Sequence, residues 1–350
     1  MHRPSAPWLL SLALGLAIPA GCAESSPTSP SPPAPTGATP AAPSADAPAA
    51  QSDEAGASIP LIEASGVAIR GEGKVAVIGG DQDPDRLFAV ALDDFSKRWY
   101  LPYPPGSPPI RDIEGVAPWG KTSVIVCPSS SRTKKKDKVK PERCRIALVA
   151  LSDDARRILR VQAYENFRDP LVAHVVKELR DRLEDPAAVA DDRPQDGGFN
   201  IEGIAVWKGK LLVGLRAPTA KGGGAIVIPV DHPERLFEPG GASRPPDLGK
   251  PYVLATKPGE GIRDLCADGD TVLVILGPTG DRGEPRPRLA RWNPETGDLA
   301  PLHAKGFDMI DKPEGLALDP EGRLIVVQDQ KPPLKAPIMF RLTLDKENQP

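Results

Sequence analysis

The chain has 350 residues, with 44 Lys and Arg against 47 Asp and Glu, a formal net charge of −3, and 43 prolines. Acids and bases are interspersed, so no basic footprint for nucleic acid is present. The few histidines, His174, His232 and His303 outside the N-terminal segment, are too far apart for a histidine metal cluster or a histidine-based triad. Neither a Gly-x-Ser-x-Gly elbow nor a His-Glu-x-x-His helix motif occurs, which removes the usual signatures of serine hydrolases and zinc peptidases.

In chain order, Arg3 supplies a weak basic start and Trp8–Ile18 an apolar stretch too short to span a bilayer. The following Pro19-Ala20-Gly21-Cys22 resembles a bacterial lipobox, with Pro19 where leucine is preferred. That resemblance implies a signal peptide over 1–21, cleavage before Cys22 and lipidation of its thiol. The mature protein is then expected outside the cytoplasm, anchored in the periplasm or at the outer membrane of a bacterium; an ordinary secretory signal is the alternative. Residues 22–58 are Pro, Ala, Ser and Thr with almost no large apolar groups, and they read as a disordered tether.

From 59 to 345 one phrase returns: Ser65-Gly66-Val67-Ala68, Ile113-Glu114-Gly115-Val116-Ala117, Ile201-Glu202-Gly203-Ile204-Ala205, the degenerate Ile262-Arg263-Asp264-Leu265-Cys266-Ala267, and Pro313-Glu314-Gly315-Leu316-Ala317. Each copy precedes a turn and a β-branched run, then two further short strands. A supersecondary unit repeated at this spacing predicts a single all-β domain, a β-propeller of five blades, with six as the alternative. The last unit lacks a fourth strand, and Ile59–Ala64 is expected to supply it by joining the two ends of the chain. Apolar residues at Leu171, Val172, Val175, Val176, Leu179 and Leu183 have helical spacing, which predicts one inserted helix near 170–184, capped by Asp169 and begun by Pro170.

Gly115–Thr122 fits a phosphate-binding loop formally, but the residues after Lys121 are a strand rather than a helix. The same Gly-Lys pair recurs at Gly73-Lys74 and Gly209-Lys210, so it reads as a hairpin turn. Cys127 and Cys144 end and begin adjacent predicted strands on either side of a lysine-rich loop, and a disulfide between them is expected in an oxidising compartment. Cys266 is expected to be a buried thiol.

The repeat places Glu114, Glu202, Asp264 and Glu314 on innermost strands around a central channel, with Ser65 in the fifth place. Arg111, Arg216 and Arg263 are at hand to neutralise them, and Asp329 lies among the loops at the same mouth. Several acids at short range need a cation or basic partners. Glu114, Glu202 and Glu314 are therefore candidate ligands for a metal such as Ca²⁺. The competing role is structural, each carboxylate bonding to the neighbouring blade.

Phe199-Asn200-Ile201-Glu202-Gly203-Ile204-Ala205 with Leu211–Pro218 resembles the bacterial family called domain of unknown function 3616. Gly261-Ile262-Arg263-Asp264-Leu265 and Lys312–Ala317 match its later motifs. The resemblance implies a propeller similar to esterase-like phytases and brings no established activity. Where that family has a Gly-Ser-His-Ser phrase, this chain has Val126-Cys127-Pro128-Ser129-Ser130-Ser131, without the histidine. The expected function is a lipid-anchored module that binds a small molecule or protein partner at the channel mouth through Glu114, Glu202, Arg216, Arg263, Asp264, Glu314 and Asp329. A Ca²⁺-dependent hydrolase of phosphoesters or lactones is the alternative.

Overall fold

The computed structural model describes residues 63–80, 83–133, 138–184, 186–187, 189, 198–241, 244–280, 285–330 and 339–345. The expected signal peptide, Cys22, the tether and the segment 59–62 lie outside these residues.

Val, Ile and Leu runs bounded by Gly, Asp and Pro form five antiparallel sheets, each laid down in chain order from the inside outwards. The first comprises β1 (Ala64–Arg70), β2 (Val75–Gly80), β3 (Arg86–Ala91) and β4 (Arg98–Pro102). The second comprises β5 (Ile113–Trp119), β6 (Ser123–Pro128), β7 (Ile146–Leu151) and β8 (Ile158–Tyr164). The third holds β9 (Asn200–Trp207), β10 (Lys210–Ala217) and β11 (Ala225–Asp231), with the short β12 (Asp247–Leu248) and β13 (Tyr252–Leu254) both pairing with β11. The fourth is β14 (Glu260–Asp268), β15 (Thr271–Pro278), β16 (Arg288–Trp292) and β17 (Leu299–Leu302); the fifth is β18 (Pro313–Leu318), β19 (Leu324–Gln328) and β20 (Met339–Leu342).

The innermost strands β1, β5, β9, β14 and β18 each pack against the next, and β18 packs against β1, so the sheets close into a five-bladed β-propeller. Its core is divided into five apolar wedges between adjacent blades. Leu87, Ile113 and Val149 fill one, Leu212, Ile262 and Trp292 another, and Ile78, Phe88 and Ile325 the wedge that joins the last blade to the first. Ala64 belongs to β1, where it pairs with Gly80, and not to an outer strand of the fifth blade. At the closure the Glu63 amide donates to the Gln330 carbonyl at 3.1 Å.

The inserted helix α1 (Arg168–Leu179), continued by a 3-10 turn to Arg182, seats Leu171, Val175 and Leu179 in the wedge between the second and third blades. It starts earlier than its sequence suggests: Phe167 is the capping position, without a side-chain cap, and Asp169 sits inside the first turn. Buried Arg168 explains the shift, because its Nε donates to the Ser130 carbonyl at 2.9 Å and pins the chain there. Among the described residues no helix is long and apolar enough to cross a membrane.

The Gly120-Lys121 turn joins β5 to β6, with Gly120 at φ 54°, which is a hairpin and not a phosphate loop. Cys127 and Cys144 are free thiols, against the expected disulfide. The pairing Val126↔Ala147 sets Cys127 opposite Ile146, two residues beyond Cys144. Burial pushes both thiols up, Cys144 to about 11. Cys266 is half-buried, with its thiol pushed up to about 12 by desolvation.

Candidate functional site

Strand register locates the site. In β5, Ile113 pairs with Pro128 and Gly115 with Cys127, so Glu114 is an extra, bulged residue. Glu202 is bulged in the same way between Ile201 and Gly203, and Glu314 between Pro313 and Gly315. β1 has its irregularity between Ala64 and Val67, where Ser65 and Gly66 lie. A bulge re-aims the side chain it carries; here it does so once per innermost strand, at the channel.

In β14 the bulged residue is Arg263, because Ile262 pairs with Leu276 and Asp264 with Ile275. The fourth place in the ring is therefore an arginine, and Asp264 stands one position on, where the other blades have glycine. Those glycines exist because neighbouring innermost strands nearly touch: a Cβ on Gly66 would lie 2.3 Å from the Val116 nitrogen, and one on Gly203 2.5 Å from the Asp264 Cα. Asp264 fits its own place by reaching across the gap, where Oδ2 accepts the Leu316 amide at 2.6 Å. It is a tie between the fourth and fifth blades.

The bulged residues meet in an acid–arginine cluster. Arg263 Nη2 donates to Glu314 Oε1 and lies 3.4 Å from Glu202 Oε2. Glu202 Oε1 also accepts from Arg216 Nη1 at 3.0 Å and from Asn200 Nδ2 at 2.7 Å. Desolvation opposes ionisation of Glu202, but Arg263, Arg216 and these hydrogen bonds outweigh it and hold its carboxyl below the ordinary value. Glu314 goes the other way, raised to about 7 by burial and the charge of Glu202 against the pull of Arg263. Burial also lifts Asp264 well above the usual carboxylate range.

A second cluster stands beside it. Arg143 Nη2 donates to Asp112 Oδ2 and to Ser131 Oγ, the latter at 2.8 Å, while Ser129 Oγ donates to the same Asp112 oxygen. Burial raises Asp112 despite these partners. Arg143 and Asp112 were not among the residues expected here, whereas Arg111, expected as a neutralising partner, is exposed and does not line the channel. Asp112 and Asn200 each stand two residues before a bulged glutamate, a sequence signal that was available. Arg143 had none, arriving at the end of the loop that follows β6.

Together these groups line a cavity of about 1000 Å³ at the channel mouth, within which Glu63, Ser65, Glu114 and Asp329 also lie. The cavity brings together all the expected ligand-binding residues except Asp264, which is turned into the inter-blade gap. Among the described residues no group of three or more His, Cys, Asp or Glu side chains is arranged to hold a metal ion. Of the three carboxylates expected to share a cation, Glu114, Glu202 and Glu314, the last two share the Arg263 guanidinium.

The fold and channel define a five-bladed β-propeller whose central mouth is an internally paired, charged cavity. Residues 187–298 match the model of the family described as a protein of unknown function (DUF3616), so the resemblance read from Phe199–Pro218 is shown over that span. No curated protein matches the chain. Among solved structures, the chain is 13% identical to Myxococcus xanthus glutaminyl cyclase, covering 81% of this chain and 91% of that one with a TM-score of 0.43. A glucose dehydrogenase is 16% identical over 77% of this chain and 94% of that one, with a TM-score of 0.41. The β-propeller domain of Cps50 (Swd1), from the organism given as Myceliophteria thermophila, is 13% identical over 82% and 71%, with a TM-score of 0.32.

Proposed function

We propose that this protein is a lipid-anchored, extracytoplasmic binding module that takes a small polar ligand in the mouth of its central channel. One observation carries the reading. A cavity of about 1000 Å³ has a floor of buried, charged and polar side chains held by the rigid inner strands, which is the form of a small-molecule site. The anchor is supported by Pro19-Ala20-Gly21-Cys22 and by the Pro-rich stretch behind it.

A metal-dependent hydrolase would need a cation among Glu114, Glu202 and Glu314, and Arg263 already supplies positive charge to two of them. The binding reading uses the residues as they are paired. Thermal-shift screening against a library of small polar compounds tests it: at least one compound raises the melting temperature of wild type and not of Asn200→Ala. A library without any such compound contradicts the reading. For the anchor, Cys22→Ser moves the protein from the detergent phase to the aqueous phase in cloud-point partitioning; equal partitioning of both forms contradicts it.

A further inference from the structure

Resting on that reading, we infer that the channel-mouth ligand is a neutral polyhydroxylated molecule of sugar or polyol type, bound through its hydroxyl groups. The paired charges leave buried polar atoms over. Asn200, Arg263 and Glu314 are 3%, 7% and 6% exposed, and all three line the cavity. Asn200 Oδ1, Arg263 Nη1 and Glu314 Oε2 have no hydrogen-bond partner among the described residues. Buried polar atoms are rarely left this way, because each costs the desolvation of an unmade bond.

The unpaired set is mixed: a guanidinium nitrogen that only donates, an amide oxygen that only accepts, and a carboxyl oxygen that accepts when ionised and donates when protonated. An anion would leave the Asn200 amide oxygen unmet, and an ammonium would leave the Arg263 nitrogen unmet. A hydroxyl both donates and accepts, so a row of hydroxyls satisfies all three.

The ion pairs already made point the same way. Arg143 pairs with Asp112, Arg216 with Glu202 and Arg263 with Glu314 on the cavity floor. A neutral ligand adds hydrogen bonds to these pairs without placing a further buried charge among them.

The test is isothermal titration of the full folded domain with matched probes: D-galactose, D-glucose, D-xylose and myo-inositol, the uronic acids of the first two, and their 2-amino sugars. Saturable binding of at least one neutral member is expected, weakened about tenfold or more in Asn200→Ala, the loss of one hydrogen bond to a buried group. Arg156→Ala, in a separate cleft that also holds Trp99, should leave that binding unchanged. Circular dichroism melting checks that each variant is folded, and if Asn200→Ala is not, Asn200→Ser replaces it. Binding by the uronic acids or amino sugars alone overturns the inference while leaving the binding module standing. So does a hit in the general library with none in this panel. Silence in both experiments overturns both readings.

Discussion

Arg263 decides how the channel charges are settled. Aligning the fourth copy of the repeat by its acid places Asp264 among the glutamates; aligning it by the apolar frame Ile-x-x-Leu places Arg263 there, and the bulge in β14 shows the second to be right. The acids were thus legible from the repeat, but the one-residue offset was not, because a degenerate copy can be matched by charge or by spacing. Asp264→Ala removes the acceptor for the Leu316 amide and should destabilise the protein by about 1–3 kcal/mol in chemical denaturation. An unchanged midpoint would show that the blade-to-blade tie is not made. Glu314 gives a pH test. Its folded-state value, raised to about 7, means the folded protein binds more protons than the unfolded one between the ordinary glutamate value and neutrality. Stability therefore falls as pH rises through that window. Asp112 and Asp264 add to the slope in the same sense. Glu202, held low, adds the opposite sign only at more acidic pH, where its protonation costs stability. The melting temperature of wild type should drop from pH 5.5 to 8, and Glu314→Gln should flatten part of that drop and raise the melting temperature at pH 8. A steeper slope in the variant would contradict the assignment.

At the level of elements, strands and helix were readable because their apolar periods differ, and the hairpin turns were readable because glycine and lysine recur between runs. The bulges were not. They change pairing without changing composition, and their only trace is the glycine after each glutamate. That glycine serves packing: the innermost strands approach until a Cβ would meet the backbone of the next blade. Gly66→Ala and Gly203→Ala should each cost at least about 1–3 kcal/mol by overpacking, while alanine at Gly297, which has open space but a φ of 83°, tests turn strain alone. Equal, negligible losses at Gly66 and Gly203 would show that the blades can part without cost. The two cysteines expected to pair are free thiols, and Cys144 closes the short 3-10 turn before β7 rather than beginning that strand.

The whole molecule is a ring of five wedges closed by β18 against β1, with a charged channel at its axis. A propeller of this kind needs something to hold its like-charged inner residues together, either an external cation or an internal one. Here the register of one blade supplies a guanidinium in the middle of the carboxylates, which makes Arg263 the resident cation of the channel. Melting of wild type and Arg263→Ser, each in EDTA and in millimolar Ca²⁺, tests this most directly. Serine is the residue that the first blade offers at the irregularity of its inner strand. The wild-type melting temperature should move with neither EDTA nor Ca²⁺. Arg263→Ser should lose about 3–5 kcal/mol, the cost of leaving buried carboxylates without their partner, and Ca²⁺ should restore part of it. A wild-type melting temperature that falls in EDTA and recovers with Ca²⁺, with Arg263→Ser no less stable, would contradict it.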